Sequence, residues 1–334
     1  MRKLRITQLL AGTVAAIALA VGLGTPTNAE QIVVSNYGVT VNGMPYAVAM
    51  EKGYFKEEGA DVTGILSSGG GGTTIRNLLG GNHAYAESSL ASIVAARQKG
   101  ADLRIISGNA HTVAEFYWVV LPDSPIKSVK DLKGKKLGFT NPRSTSQAMD
   151  VLLLNTLGMK QTDVTLVKTG GFGPMVVALK NGGIDVAPVA EPVYTKSKKD
   201  YRVLVAAPDI LPAVTNVVGV TTGEAAKGKA DFIKAVIRAR RRAVEFMYFN
   251  PVEAAKLIAP AYKLDASVVQ EILLTLIAST GASGMPYWGP GDLRYGPMDA
   301  MIKAQKDVGA ISGEVKWAEM VDESFLPKDL VGKK

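Results

Sequence analysis

The chain has 334 residues, 47% of them hydrophobic, with no cysteine, two histidines and a formal charge of +8. Without cysteine it cannot be a disulfide-stapled scaffold, and it lacks the residue at which lipid-anchored bacterial exports are modified. Its basic residues are scattered rather than stacked in a tail, so the charge does not point to nucleic acid.

Residues 1–29 read as a secretory leader. Arg2, Lys3 and Arg5 make a positive start, residues 9–23 are apolar, and Thr27-Asn28-Ala29 offers a small-residue cleavage site before Glu30. The apolar run is short for a membrane span, although a retained anchor is the alternative. Removing the leader's three basic residues from +8 leaves +5. The mature chain, about 305 residues, is long enough for two cores.

A short β-branched run, Ile32 to Val34, leads into the turn Ser35-Asn36-Tyr37-Gly38. Pro45 then opens a predicted helix over 45–59, with Gly59 at its C-terminal cap. Asp61 to Leu66 reads as a strand that runs into SSGGGGTTIRNLL, residues 67–79. The glycines let a ligand approach the main chain, and the following helix start offers unpaired amides at its positive end. The stretch reads as a cradle for a small anion or as a capped glycine-rich turn. It is not a nucleotide P-loop, because Thr73-Thr74-Ile75-Arg76 stands where Gly-Lys-Ser/Thr would be needed. An extended stretch at 83–87, a helix after Ser88-Ser89 and a strand at 103–106 continue an alternation that argues for a parallel sheet covered by helices.

Phe116 to Leu121 is β-prone, and a helix is expected over 144–159. Leu166 to Lys168 reads as a strand, then Gly170 to Pro174 opens another helix; strands follow at 184–189, 203–206 and 216–221. After Gly223 the chain is largely helical. Residues 230–249 carry a broad apolar face of Phe232, Ile233, Val236, Ile237, Val244 and Met247, and the arginines at 238, 240, 241 and 242 read as its solvated outer face. Asp265 is expected to cap a helix that Gly281 closes, and Tyr287 and Trp288 read as scaffold packing or as a lid over an aromatic ligand.

The ordered set resembles the bacterial ABC-transporter solute-binding proteins of the nitrate, sulfonate and taurine type, with thiamine-pyrimidine-precursor binding proteins on the same fold. The landmarks are Pro45-Tyr46 through Phe55, the serine-glycine run at 67–72, SVKDLKGKKLGF at 128–139, Asp163 to Val167, ALKNGGIDVA at 178–187 and Glu191-Pro192. The resemblance implies an α/β, two-lobed type II periplasmic binding protein fold: two mixed sheets flanked by helices, a hinge and a central cleft. Its crossings map to Phe116–Pro122 and Val217–Gly223, giving lobe one as residues 30–118 plus 224–334 and lobe two as 119–223. Three departures leave the ligand open. They are the uninterrupted four glycines, Asn141-Pro142-Arg143 before the hydroxyl run, and Ala190 where relatives often carry tryptophan before Glu-Pro.

Candidate ligand-binding residues in lobe one are Asn36, Tyr37, Ser68, Gly70, Ser88 and Ser89. Ser88 and Ser89 read equally as helix caps. In lobe two the candidates are Arg143, Ser144, Thr145, Gly171, Phe172 and Glu191. Arg143 offers a flat guanidinium to a carboxylate or sulfonate, or is a solvated loop residue. Glu191 reads as a partner for a ligand amine or for a neighbouring cation. The two histidines, His83 and His111, read as structural, and no metal or other cofactor is expected. The implied protein is a periplasmic monomer that delivers a small organic anion to a membrane ABC permease, without chemistry. The alternatives are an enzyme of the pyrimidine-precursor type and a sensor module feeding a receptor.

Overall fold

The structure, a computed structural model, describes residues 29–280 and 283–333. The expected leader lies outside the described residues except for Ala29, as does the expected helix stop at Gly281. Among the described residues no helix is long and apolar enough to cross a membrane.

Eleven strands are described: β1 (Glu30–Ser35), β2 (Val62–Ser68), β3 (Ala86–Ser89), β4 (Leu103–Ala110), β5 (Phe116–Val120), β6 (Lys136–Phe139), β7 (Thr165–Lys168), β8 (Ala187–Ala190), β9 (Arg202–Ala206), β10 (Val217–Thr222) and β11 (Trp288–Gly291). Six of them form a mixed sheet in the order β11-β4-β10-β3-β1-β2. At its centre β1 runs parallel to β2 and β3, with Val33 opposite Ala86, while β10 runs antiparallel to β3 and β4. Ile32, Val33, Val34 and Ala86 are fully buried, as expected of strands covered by helices on both faces. A one-residue slip would turn Ser35 and Ser68 away from their present positions.

The second lobe is built on the antiparallel set β8-β5-β9 and the parallel pair β6-β7. A bridge between Leu137 and Val186 joins the two groups. Trp118 of β5 is buried and donates to Asp150 Oδ1 at 2.7 Å from the helix Thr145–Thr156. Because β5 pairs only with β8 and β9, and β10 lies wholly in the large sheet, the connections between the sheets are residues 111–115 and 211–216. The crossings expected at 116–122 and 217–223 are therefore displaced by one strand each. Both segments are rich in β-prone residues, and that marks a strand without saying which sheet it joins.

Two further expectations change. The single helix expected over 45–59 is two, Met44–Glu51 and Tyr54–Glu58, because Gly53 takes φ +71° and breaks the helical turn. In the helix Ala230–Phe249, Arg238 pairs with Glu58, Arg241 with Glu245 and Asp329, and Arg242 with Glu57 and Glu58, as a solvated face would. Arg240 does not belong to that face. It is 2% exposed and donates to the carbonyls of Gly289 at 2.7 Å and Asn109 at 2.6 Å, with Nε 3.5 Å from Glu87 Oε2.

Candidate ligand-binding cleft

A cleft of about 380 Å³ opens between the two sheets, near the two connections. From the large lobe it is lined by Ser35, Asn36, Thr40 and Asn42, by Gly69 to Gly71, and by Ser89, Ala91 and Ser92. The smaller lobe contributes Thr140, Asn141, Arg143 to Ser146, Phe172, Ala190 and Glu191, and the connections contribute Glu115 and Asn216. These residues sit at strand ends, where ligands gather in open α/β sheets.

The glycine run has the geometry of a close approach. Gly70 takes φ +96°, and its amide donates to the Ser68 carbonyl at 2.8 Å. The helix Gly71–Gly80 begins immediately after it. A Cβ on Gly71 would run into the hydroxyls of Ser89 and Ser92, which bond each other at 2.8 Å. Beside it, Asn36 also holds a left-handed backbone at φ 52°, and Asn42 donates to Glu87 Oε1 at 2.7 Å while accepting from Thr40.

Across the cleft, the turn after β6 carries the hydroxyl set. Ser146 Oγ accepts from the Thr140 amide at 2.9 Å and lies 2.9 Å from Thr140 Oγ1 and 3.0 Å from Ser144 Oγ. Ser144 caps the helix Thr145–Thr156 by accepting from the Gln147 amide at 3.3 Å. Arg143 is exposed at the mouth, with φ 65° and its amide on Gln147 Oε1 at 2.6 Å. The Phe116 and Phe172 rings are tilted at 54° to each other with centroids 6.3 Å apart.

Two carboxyls share this space. Glu191 accepts from the Thr195 amide at 3.1 Å and the Thr195 hydroxyl at 2.8 Å, so it partners a threonine rather than a cation. Burial nevertheless pushes its pKa up to about 7. Glu115 accepts on Oε1 from Asn216 Nδ2 at 2.8 Å, and burial pushes its pKa up to about 8, against the pull of its own amide, Asn216 and the Tyr287 hydroxyl.

Of the residues named from sequence, Asn36, Gly70, Ser89, Arg143, Ser144, Thr145, Phe172 and Glu191 lie on the cleft wall. Four do not. Tyr37 packs edge-on against Tyr262, with centroids 6.0 Å apart. Ser68 accepts from Asn77 at 3.0 Å, and Ser88 is fully buried and donates to the Gly71 carbonyl at 3.3 Å. Gly171 only precedes Phe172, as the cap of the helix Phe172–Lys180. These four hold up the wall rather than form it. Ser89 makes no side-chain cap bond to its helix, so its hydroxyl is not spent on capping.

Sequence reasoning missed Asn42, Glu115, Phe116 and Asn216. The signal for Glu115 was present: it is a lone acid within the apolar run from Val113 to Leu121. Neither histidine lines the cleft. His111 pairs with Asp292 at 3.0 Å and His83 contacts the Gln31 carbonyl at 2.8 Å. Tyr287 and Trp288 are fully buried and pack against each other.

A family model described as NMT1/THI5 like matches residues 40–254, and the chain belongs to that family. The riboflavin-binding protein RibY of Chloroflexus aurantiacus is 25% identical over 281 residues, 79% of this chain and 74% of RibY. The periplasmic aliphatic sulphonate binding protein SsuA of Escherichia coli has the same fold. It matches with a TM-score of 0.66 at 18% identity, over 84% of this chain and 86% of SsuA. The periplasmic nitrate-binding protein NrtA of Synechocystis matches with a TM-score of 0.58 at 15% identity, over 74% of this chain and 70% of NrtA. The fold is that of periplasmic binding proteins.

Proposed function

We propose that the chain is an extracytoplasmic solute-binding protein that closes on a small organic anion, a sulfonate or carboxylate with room for an aromatic group, and delivers it to an ABC permease. The observation that carries this reading is one cleft lined from both lobes by hydroxyls, helix-start amides and a guanidinium, with two phenylalanines beside them. Closure then runs about the connections at 111–115 and 211–216, because a solute touching both walls favours the form in which both contacts exist. Micromolar capture needs about −8 kcal/mol, within reach of a few charge-assisted hydrogen bonds in a drying cleft. The names of SsuA and NrtA agree with an oxyanion solute. The name of RibY and the Phe116–Phe172 pair favour a second reading, a flavin-like flat solute.

A catalytic reading has less to stand on, since both histidines are engaged elsewhere and the sequence has no cysteine. The test is to unfold, wash and refold the protein, then screen sulfonates, carboxylates, nitrate and riboflavin by thermal shift. A true solute at a hundredfold excess over its Kd stabilises the fold by about 2.7 kcal/mol and shrinks the radius of gyration in solution scattering. No shift across the panel, with no small molecule found in the purified protein by mass spectrometry, would remove the proposal.

A further inference from the structure

Thr40 lies on the large-lobe wall of the cleft, just before the single helical turn Val41–Gly43, and is partly exposed there. Its main chain is pinned. The amide donates to the Asn36 carbonyl at 3.0 Å, and the carbonyl accepts from the Tyr262 hydroxyl at 3.0 Å. The side chain makes no cap bond to the turn that follows. A threonine hydroxyl has one proton to give and two lone pairs to offer. Where the proton goes decides what the wall can recognise at this point.

Asn42 settles it. Its amide nitrogen donates to Glu87 Oε1 at 2.7 Å and to the Ser35 carbonyl at 3.3 Å. A carbonyl only accepts, so the nitrogen of the carboxamide, and not its oxygen, faces Ser35. Glu87 is held in turn: Oε2 takes Asn109 Nδ2 at 2.6 Å and the Tyr46 hydroxyl at 2.9 Å, with Arg240 Nε 3.5 Å away. The Asn42 oxygen is left against the Thr40 hydroxyl. That oxygen cannot donate, so Thr40 does. The other group in reach of Thr40 Oγ1 is the Asn36 carbonyl at 3.5 Å, again an acceptor. Among the described residues no donor reaches Oγ1, so its lone pairs are unspent on a residue of the cleft wall. Ser92 on the same wall has the opposite sense. It accepts from Ser89 at 2.8 Å, and its own proton has no partner among the described residues.

We infer that Thr40 is a specificity residue that accepts a hydrogen bond from the solute, so that the cognate solute is an organic anion carrying a hydroxyl, amino or imide N–H group. This rests on the solute-binding reading above and narrows its solute class. The oxyanion goes to the groups that offer protons, namely Ser92, the helix-start amides and Arg143, and the donor end goes to Thr40. A solute acceptor placed at Thr40 faces lone pair against lone pair, or takes the proton and leaves the Asn42 oxygen without its partner. Either is costly in a cleft that dries on closure. A bare oxyanion such as nitrate leaves this contact unmade.

Matched pairs test this in calorimetric titration of the full chain at about pH 7. 4-Aminobenzenesulfonate is set against 4-methylbenzenesulfonate, 4-aminobenzoate against 4-methylbenzoate, and 2-hydroxyethanesulfonate against propane-1-sulfonate. Each pair keeps charge and shape and exchanges an N–H or O–H group for a methyl. The wild type should bind the donor-bearing member about three- to tenfold more tightly. Thr40→Val removes the lone pairs at nearly constant shape and should bring the ratio close to one. Thr40→Ser keeps the hydroxyl and should keep the preference. The ratio reads recognition rather than folding, because any loosening of Asn42 in the valine variant weakens both members alike. Equal affinities within every pair that binds overturn the inference and leave the solute-binding reading intact. So does a preference that Thr40→Val leaves unchanged. If none of the six compounds binds, the organic-anion reading and this inference fall together.

Discussion

Replacing Arg143 with glycine separates recognition from folding. Arg143 is the only cation among the residues lining the cleft, and it stands at φ 65° in the left-handed region, where a side chain is strained. Arg143 is exposed, and on the proposed reading its guanidinium gains value when closure around a solute dries the contact. One charge-assisted hydrogen bond is then worth about 1.5–3 kcal/mol, which is about a ten- to hundredfold loss of affinity on removal. The folding terms nearly cancel. Glycine relieves about 1 kcal/mol of left-handed strain and gives back about 0.5–1 kcal/mol in unfolded-chain entropy. The melting temperature of Arg143→Gly should therefore move by no more than about 2–4 °C.

Titration calorimetry against ethanesulfonate, paired with thermal melts of the solute-free proteins, reads both quantities. Arg143→Lys keeps the charge but not the two-pronged fork, so it should recover only part of the affinity. Raised salt should weaken the wild-type complex more than that of Arg143→Gly. Equal affinity for wild type and Arg143→Gly would refute the reasoning. The anion would then rest on the helix-start amides near Gly71 and Thr145, with Arg143 a surface residue.

Gly71→Ala should weaken solute binding in the same titration and lower the melt, because its Cβ overlaps the Ser89 and Ser92 hydroxyls and the Ser92 Cβ, which must shift. Arg240→Met should cost about 3–5 kcal/mol in urea unfolding, since it strands the buried Glu87 carboxylate without its cation. Glu191 holds a proton in the native state up to about pH 7 that the unfolded chain releases near the ordinary carboxylate value. Its contribution to stability is thus greatest at acid pH and is lost as pH rises toward 7. Glu191→Gln should flatten that slope in urea unfolding run across pH, and an unchanged slope would mean that another group carries it.

The sequence exposed the parts of this site that local chemistry dictates. Gly70 is glycine because the chain turns there at φ +96° ahead of a helix, and the run at 67–79 shows this without a structure. Arg240 was also legible and was overruled by its charge. It lies three residues after Ile237 and four before Val244, on the face that carries the apolar set. The crossings were not legible. Phe116–Val120 and Val217–Thr222 both read as strands, and what separates them is pairing with β8 and β9 in one case and with β3 and β4 in the other. Asn42 and Asn216 carried no signal, because their place in the cleft depends on partners 45 and 101 residues away in sequence.

The two walls of the cleft differ in how firmly they are held. Beneath the large-lobe wall, Glu87 is fully buried and accepts from Asn42 at 2.7 Å, Asn109 at 2.6 Å and the Tyr46 hydroxyl at 2.9 Å. Burial holds its pKa above the ordinary carboxylate value, although Arg240 and these three bonds pull the other way. An apolar replacement of such a pair is often neutral or stabilising, so the charge is not explained by stability. It does fix Asn42: the amide nitrogen is committed to Glu87 and the oxygen to Thr40 before any solute arrives. On the smaller lobe, Thr140, Ser144 and Ser146 hydroxyls bond mainly one another. Hydroxyls rotate and trade partners at little cost, so they can turn to a solute oxygen as the lobes close. On the solute-binding reading, a solute would therefore bind first on the wall that does not change and recruit the wall that does.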